Sequence, residues 1–194
     1  MLGIVLCGGK STRMGTDKGL LAPDAETWVS VGADKLTDLG LEVKISINKE
    51  QLNTYADIFS YSDLIPDDSN LDIHGPLCGV LSVHLQKPAE DLFILACDMP
   101  LMESFILKEL FQTAKKYPQA EAFVFKNDNE PEPLCGIYKA SGLNSILKMY
   151  RAKQLAKHSM KFMLDHLNTL TIQMPDEYKP YFQNFNAHAD LNGL

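Results

Sequence analysis

The residues best suited to chemistry stand close together near the start of the chain, in "LCGGKSTRMGTDKGLL" (residues 6–21). Its GKST tetrapeptide ends like a P-loop, whose first glycine must precede the glycine of GKST by five positions so that the amides between them wrap nucleotide phosphates. That position is Ile4; Gly3 and Gly8 have the right separation, but Gly9 follows Gly8 where the lysine belongs. The P-loop pattern fails by one residue, and no glycine triplet has the GxGxxG spacing of a dinucleotide fold. What remains is a glycine turn followed by Arg13, Gly15 and Lys18. Gly8 and Gly9 lack a Cβ, so they can take positive φ and let a ligand approach the main chain. Exposed amides in such a turn form a concave anion site. Arg13 adds a planar fork of donors and Lys18 a compact charge, both suited to phosphate oxygens. A plain strand-to-helix turn with solvated basic residues would use the same types.

A second group lies far along the chain in "ACDMP", where Asp98 follows a fully apolar run and Pro100 ends it. A carboxylate there must be paired, hydrogen-bonded or metal-bound to offset its desolvation. Its hard oxygens suit Mg²⁺, which takes one or two carboxylates and completes its shell with substrate phosphates and water. Capping of the following turn is the plainer reading of the same residue.

The elements that must hold these groups follow from hydrophobic patterning. Apolar bursts alternate with longer amphipathic segments, the pattern of βα units that build a parallel sheet. Strands are predicted at 3–7, 42–48, 91–97, 121–126, 134–139 and 169–174, and helices near Trp28, at 75–86 with Pro76 in the first turn, at 103–117 before Pro118, at 140–150 and at 159–167. The polar run "IPDDSNLDIHGP" reads as a loop. In open α/β sheets ligands sit outside the carboxyl ends of the strands, where both groups fall.

With 194 residues, 45% of them hydrophobic, one domain spanning 1–194 is expected. The net charge of −7 argues against a nucleic-acid or membrane surface and for a small ligand. Cys7, Cys78, Cys97 and Cys135 are widely spread without a CxxC pair and read as buried, reduced thiols. No basic leader precedes the first apolar run, and no run approaches a bilayer-crossing length, so a cytoplasmic location is expected. The five histidines, His74, His84, His158, His166 and His188, form no HxxxH pair and read as surface or satisfied structural residues.

Taken together, "LCGGKSTRMGTDKGLL", "PDDSNLDIHGPLCGVLSVH", "ILACDMPLM" and "NFNAHADL" resemble, in order along roughly the whole chain, the motifs of the molybdenum cofactor guanylyltransferases. The resemblance implies a Rossmann-like three-layer α/β/α sandwich with a mostly parallel sheet, of the nucleotide-diphospho-sugar transferase type. It also implies Mg²⁺-dependent transfer of GMP from GTP to the terminal phosphate of the molybdopterin cofactor, with release of pyrophosphate. By the same resemblance, main-chain groups of Leu6, Cys7 and Gly8 hold the guanine nucleotide, Gly9 and Arg13 frame the phosphates, and Lys18 neutralises the triphosphate. Asp68 matches a nucleotide-binding aspartate, Gly79 lies where the backbone nears base or ribose, and Asp98 binds Mg²⁺ and nucleotide together. Arg13, Lys18 and Asp98 are thus the implied catalytic set, and Asn184 and Asn186 the implied acceptor-side residues. Contact with proteins that supply or receive the cofactor is also implied.

The chain departs from the pattern in three places. "APDAETW" replaces an Asn-Gly-x-Pro-like turn after Leu21; Ser46 and Asn48 compete for the place of a nucleotide-contacting asparagine; and Ala187-His188 replaces Thr-Pro. A related transferase using CTP or another small phosphorylated acceptor, and a lapsed nucleotide-binding protein, stay open. Lys153, Lys157 and Lys161 would share one face of a continuous helix, either as a solvated face or as a receiver of the acceptor's phosphate.

Overall fold

The computed structural model describes residues 1–8, 17–22 and 25–185. The elements run β1 (Leu2–Leu6), α1 (Trp28–Thr37), β2 (Glu42–Ile47), α2 (Leu52–Ala56), β3 (Leu64–Pro66), α3 (Pro76–Gln86) and β4 (Leu92–Ala96). After these come α4 (Ser104–Lys116), β5 (Ala122–Asn127), β6 (Glu130–Tyr138), α5 (Ala140–Arg151), α6 (Met160–Leu164) and β7 (Thr169–Gln173). The strands form one sheet in the order β3-β2-β1-β4-β6-β5-β7. All neighbours are parallel except β6, which runs antiparallel to both β4 and β5.

Every residue of β1 and β4 is buried, as continuous apolar strands covered on both faces must be. Alternate side chains feed two cores. Val5 and Cys7 meet Val29 and Leu36 of α1, Tyr55 of α2 and Leu110 of α4, whereas Ile4 and Leu6 meet Leu77 of α3, Ile146 of α5 and Met163 of α6. The result is the expected three-layer sandwich, each fully buried large aliphatic side chain contributing roughly 1.5–3 kcal/mol.

Local signals set the helix starts. Thr27 caps α1 by accepting from the Ser30 amide, and Pro76 opens α3 where its missing N–H costs nothing. Helix α4 stops at Lys116, just before Tyr117 and Pro118.

The structure departs from the sequence reading in several places. The three-residue β3 and the one-turn α2 were not expected, being too short to show a period, and β3 takes the first residues of the run read as a loop. Strand β6 begins at Glu130 rather than Leu134, and it joins β5 through a two-residue turn with Asp128 at φ 52°, so this pair is a hairpin and not a βα crossover. Pro131 and Pro133 are tolerated because β4 pairs with β6 only from Cys135 to Tyr138.

Helix α6 covers only Met160–Leu164. Since α5 ends at Arg151 and Lys153 turns to φ 57°, Lys153, Lys157 and Lys161 do not form one helical stripe, and Lys161 pairs with Glu130. Among the histidines, His84 is neither at the surface nor satisfied: it is fully buried in α3, with no hydrogen bond to either ring nitrogen and the Asn144 side chain alongside. Among the described residues, no helix is long and apolar enough to cross a membrane.

Candidate active site

The carboxyl ends of β1, β2, β3 and β4 bring together Gly8, Asn48, Asp67 and Asp98. A cavity of about 510 Å³ opens above the first three strands, lined by Gly8, Asn48, Lys49, Asp67, His74 and Gly75 among others. Gly8 is not left-handed, as the glycine-turn argument allowed; its bare face lies beside an Asp67 carboxylate oxygen, which a Cβ would meet at 3.6 Å. Gly9 and Arg13 lie outside the described residues, and so does Asn186.

A polar network fixes the turn that carries Lys18. Asp17 caps the short 3-10 turn Lys18–Leu20, accepting from the Gly19 amide at 3.0 Å and from the Tyr55 hydroxyl at 3.0 Å. The Gln51 amide group donates to the other Asp17 oxygen and to the Cys7 carbonyl, while Gln51 and Asn48 close a reciprocal capping box. This explains the glycine at 19, since a Cβ there would stand 2.3 Å from the Tyr55 hydroxyl oxygen. The turn thus aims Lys18 at Asp98, with Nζ 3.4 Å from the carboxylate and both side chains about one-fifth exposed.

Asp98 itself sits on a turn held from three sides. The Cys97 amide donates to the Leu6 carbonyl, Lys35 of α1 donates to the Pro100 carbonyl at 3.0 Å, and the Phe185 amide donates to the Asp98 carbonyl at 2.9 Å. Burial lowers the pKa of Lys35. Among the described residues no three His, Cys, Asp or Glu side chains converge as a metal cage. A magnesium ion fits this donor set all the same, because it needs only one or two carboxylates beside phosphates and water. Asp98 supplies a hard-oxygen carboxylate, partly exposed and already beside a cation.

The other candidates fall as follows. Leu6 and Cys7 are the buried floor: the Leu6 carbonyl accepts from Cys97, and the Cys7 amide donates to the Ser46 carbonyl. Asp68 turns into its own loop, where one oxygen accepts from the backbone and side-chain nitrogens of Asn70. Gly79 packs so tightly on β2 that a Cβ would stand 2.6 Å from the buried Ser46 hydroxyl oxygen. Of the two competing β2 residues, Asn48 reaches the cavity wall and Ser46 is buried beneath Gly79. Asn184 is exposed on the segment that delivers Phe185 to Asp98. Burial also raises the thiol pKa values of Cys7, Cys78 and Cys135, which keeps these thiols protonated at neutral pH.

Asp67 is the residue that sequence reasoning missed. Its amide is tied to the Ile47 carbonyl, its Oδ1 is buried with no hydrogen-bond partner, and burial raises its pKa. It follows Pro66 of β3 as Asp98 follows the β4 strand, so recognition of β3 would have exposed it. Its other oxygen, Oδ2, lies beside Gly8 on the cavity wall, where it can accept a hydrogen bond from a ligand.

Comparison with known proteins gives the family and the fold. The family model of the MobA-like NTP transferase domain matches residues 3–169. The molybdopterin-guanine dinucleotide biosynthesis protein A of Archaeoglobus fulgidus superposes with a TM-score of 0.79 at 20% identity, over 100% of this chain and 96% of that one. A nucleotidyl transferase from Methanothermobacter thermautotroptrophicus gives 0.72 at 13% identity, covering 98% and 94%. The CMP:2-keto-3-deoxy-manno-octonic acid synthetase complexed with CTP gives 0.69 at 10% identity, covering 99% and 95%. Such identities speak to the fold alone, whereas the family match spans most of the sequence: the chain belongs to the MobA-like NTP transferase domain family and is a nucleotidyltransferase of that type.

Proposed function

We propose that the protein transfers GMP from GTP to the terminal phosphate of the molybdopterin cofactor, with magnesium, and releases pyrophosphate. The observation that carries this reading is the division of labour at the strand ends: an unpartnered Asp67 carboxylate in the cavity and an Asp98–Lys18 pair beside it in sheet order. Guanine presents N1–H and the 2-amino group side by side, and a carboxylate on the cavity wall is a strong acceptor for such donors. The other bases offer a carboxylate fewer adjacent donors. The named activity of the Archaeoglobus neighbour supports the same acceptor class.

In this reaction an oxygen of the acceptor's terminal phosphate bonds to the α-phosphorus of GTP. The bond from that phosphorus to the bridging oxygen breaks, and pyrophosphate leaves with the electron pair. No covalent enzyme intermediate is needed, so the protein's part is positioning and charge stabilisation. Lys18 would lie against the triphosphate, with Gly9 and Arg13 framing it. Asp98 would hold the magnesium ion. Held there, such an ion would supply positive charge to offset the negative charge gathering on the phosphates and the leaving group. Asn184 and Asn186 would face the acceptor.

The test is pyrophosphate release with Mg²⁺ and pterin cofactor, comparing GTP, CTP, ATP and UTP. Release with GTP alone supports the proposal. Release with CTP assigns the chain to cytidylyl transfer, the chemistry for which the CTP-complexed neighbour's fold offers a precedent. Silence with all four, despite GTP binding, leaves a lapsed binder or a different acceptor. In the active case Asp98→Ala, a conservative loss at a partly exposed turn, lowers turnover by about 100-fold or more with the fold retained; near-normal turnover would remove Asp98 from the mechanism.

A further inference from the structure

A second cavity, of about 440 Å³, lies at the end of α5 and is lined by Asp72, Tyr150, Arg151, Lys153, Leu155 and His158. Its wall belongs to an unusual stretch: from Lys139 to Lys161 the sequence holds six Lys or Arg and no Asp or Glu, in a chain of net charge −7. Lys139 and Lys161 are committed to ion pairs with Asp91 and Glu130. Arg151 and Lys153, which face this cavity, make no ion pair among the described residues.

Cations at a helix end commonly serve as caps for its last carbonyls. That role is already filled at α5, because Ala152 donates to Lys148, Lys153 to Tyr150 and Gln154 to Met149, all through main-chain amides around the left-handed Lys153. Tyr150 is likewise oriented: its oxygen accepts from the Asp72 amide at 2.8 Å, which leaves its own proton to donate. Arg151, Lys153, Tyr150 and His158 therefore present donors around one hollow, opposed by a single carboxylate, Asp72.

We propose that this cavity binds the phosphate group of a small second ligand. Arg151 supplies the fork for two phosphate oxygens, Lys153 the point charge, and Tyr150 a neutral donor. The site is separate from the nucleotide cavity but shares a wall with it. Asp72 lines one side and Ile73, His74 and Gly75 the other, and the His74 and His158 rings meet edge to face with centroids 5.7 Å apart. The inference is independent of which nucleotide the first cavity takes.

Titration of the full chain with inorganic phosphate, pyrophosphate and glycerol phosphate, followed by the His158 ring signals in NMR, tests it. The signals are assigned with His158→Gln. The expected result is a saturable shift with at least one of the three probes, and the tightest of them distinguishes a free phosphate or diphosphate from a phosphate ester. Arg151→Glu with Lys153→Glu should weaken that binding by about tenfold or more, while GTP affinity stays within about twofold of wild type. Both residues are exposed, so the fold is expected to survive, as circular dichroism would verify. No shift with any probe, or a shift unchanged by the double reversal, would overturn the proposal.

Discussion

Asp67 carries a charge that the free protein leaves without a hydrogen-bond partner at one oxygen, and that imbalance makes its role measurable. Its folded pKa is raised above the ordinary 3.8 by burial, so its stabilising contribution is fully present below that value and is lost as pH rises through the folded pKa. Asp67→Asn should therefore raise the stability of the free protein at pH 7 and give little difference near pH 3, as read by urea denaturation at the two pH values. The same change removes an acceptor from the cavity and should weaken GTP by about tenfold or more, the scale of a hydrogen bond to a charged group. A variant less stable at pH 7 with GTP affinity intact would mean that the carboxylate is structural. His84 has the opposite sign. Its pKa is lowered from 6.5 chiefly by burial, so its share of stability is full above that pH and is lost as pH falls through it toward the folded value. His84→Leu should flatten the acid side of the stability profile below about pH 6.5; an unchanged slope would place the proton elsewhere.

At the level of elements, the turn Lys18–Leu20 and helix α2 work as one unit. Asp17 is bound by Tyr55 of α2, by Gln51 just before it and by Gly19 of its own turn. Gly19→Ala forces a Cβ against the Tyr55 hydroxyl, whose bond to Asp17 must break. The expected loss is about 1–3 kcal/mol, the penalty of a buried polar group left unpaired. Tyr55→Phe removes the clashing oxygen, so adding Gly19→Ala to that background should do less harm than to wild type, a coupling that a double-mutant cycle measures. Additive losses would show that the two elements are not coupled through this contact. Sequence patterning made α1, α3, α4 and α5 legible because each is long enough to repeat its apolar face and has a local start or stop. It missed α2 and β3, each too short to repeat its period, and with β3 it missed the strand end that presents Asp67.

Across the whole molecule, the chain returns to the candidate active site. From the edge strand β7 it turns through Asp176–Phe182, stacking Tyr178 and Tyr181 on Phe105 and Phe182 on Phe125, and then brings Phe185 to Asp98 and against the edge of Trp28. Phe185→Ala should lower stability by about 3 kcal/mol through the cavity it leaves. Turnover measured where the variant is still folded should fall as well, because the amide of this residue holds the Asp98 turn; full activity would mean that the turn stands without the strap. The apolar runs of β1 and β4, the glycine and cation types after β1 and the aspartate after β4 all follow from local order along the chain, since strand period, burial and residue chemistry act over a few neighbours. That suffices for the sheet, its layers and the phosphate chemistry at its carboxyl edge. The choice of Asp67 over Asp68 for the cavity wall is made by the pairing of β2 with β3, which aligns Ile47 with Pro66. Adjacent residues point to opposite sides of a strand end, so the chemistry of two like neighbours cannot separate them, and only the register of distant segments does.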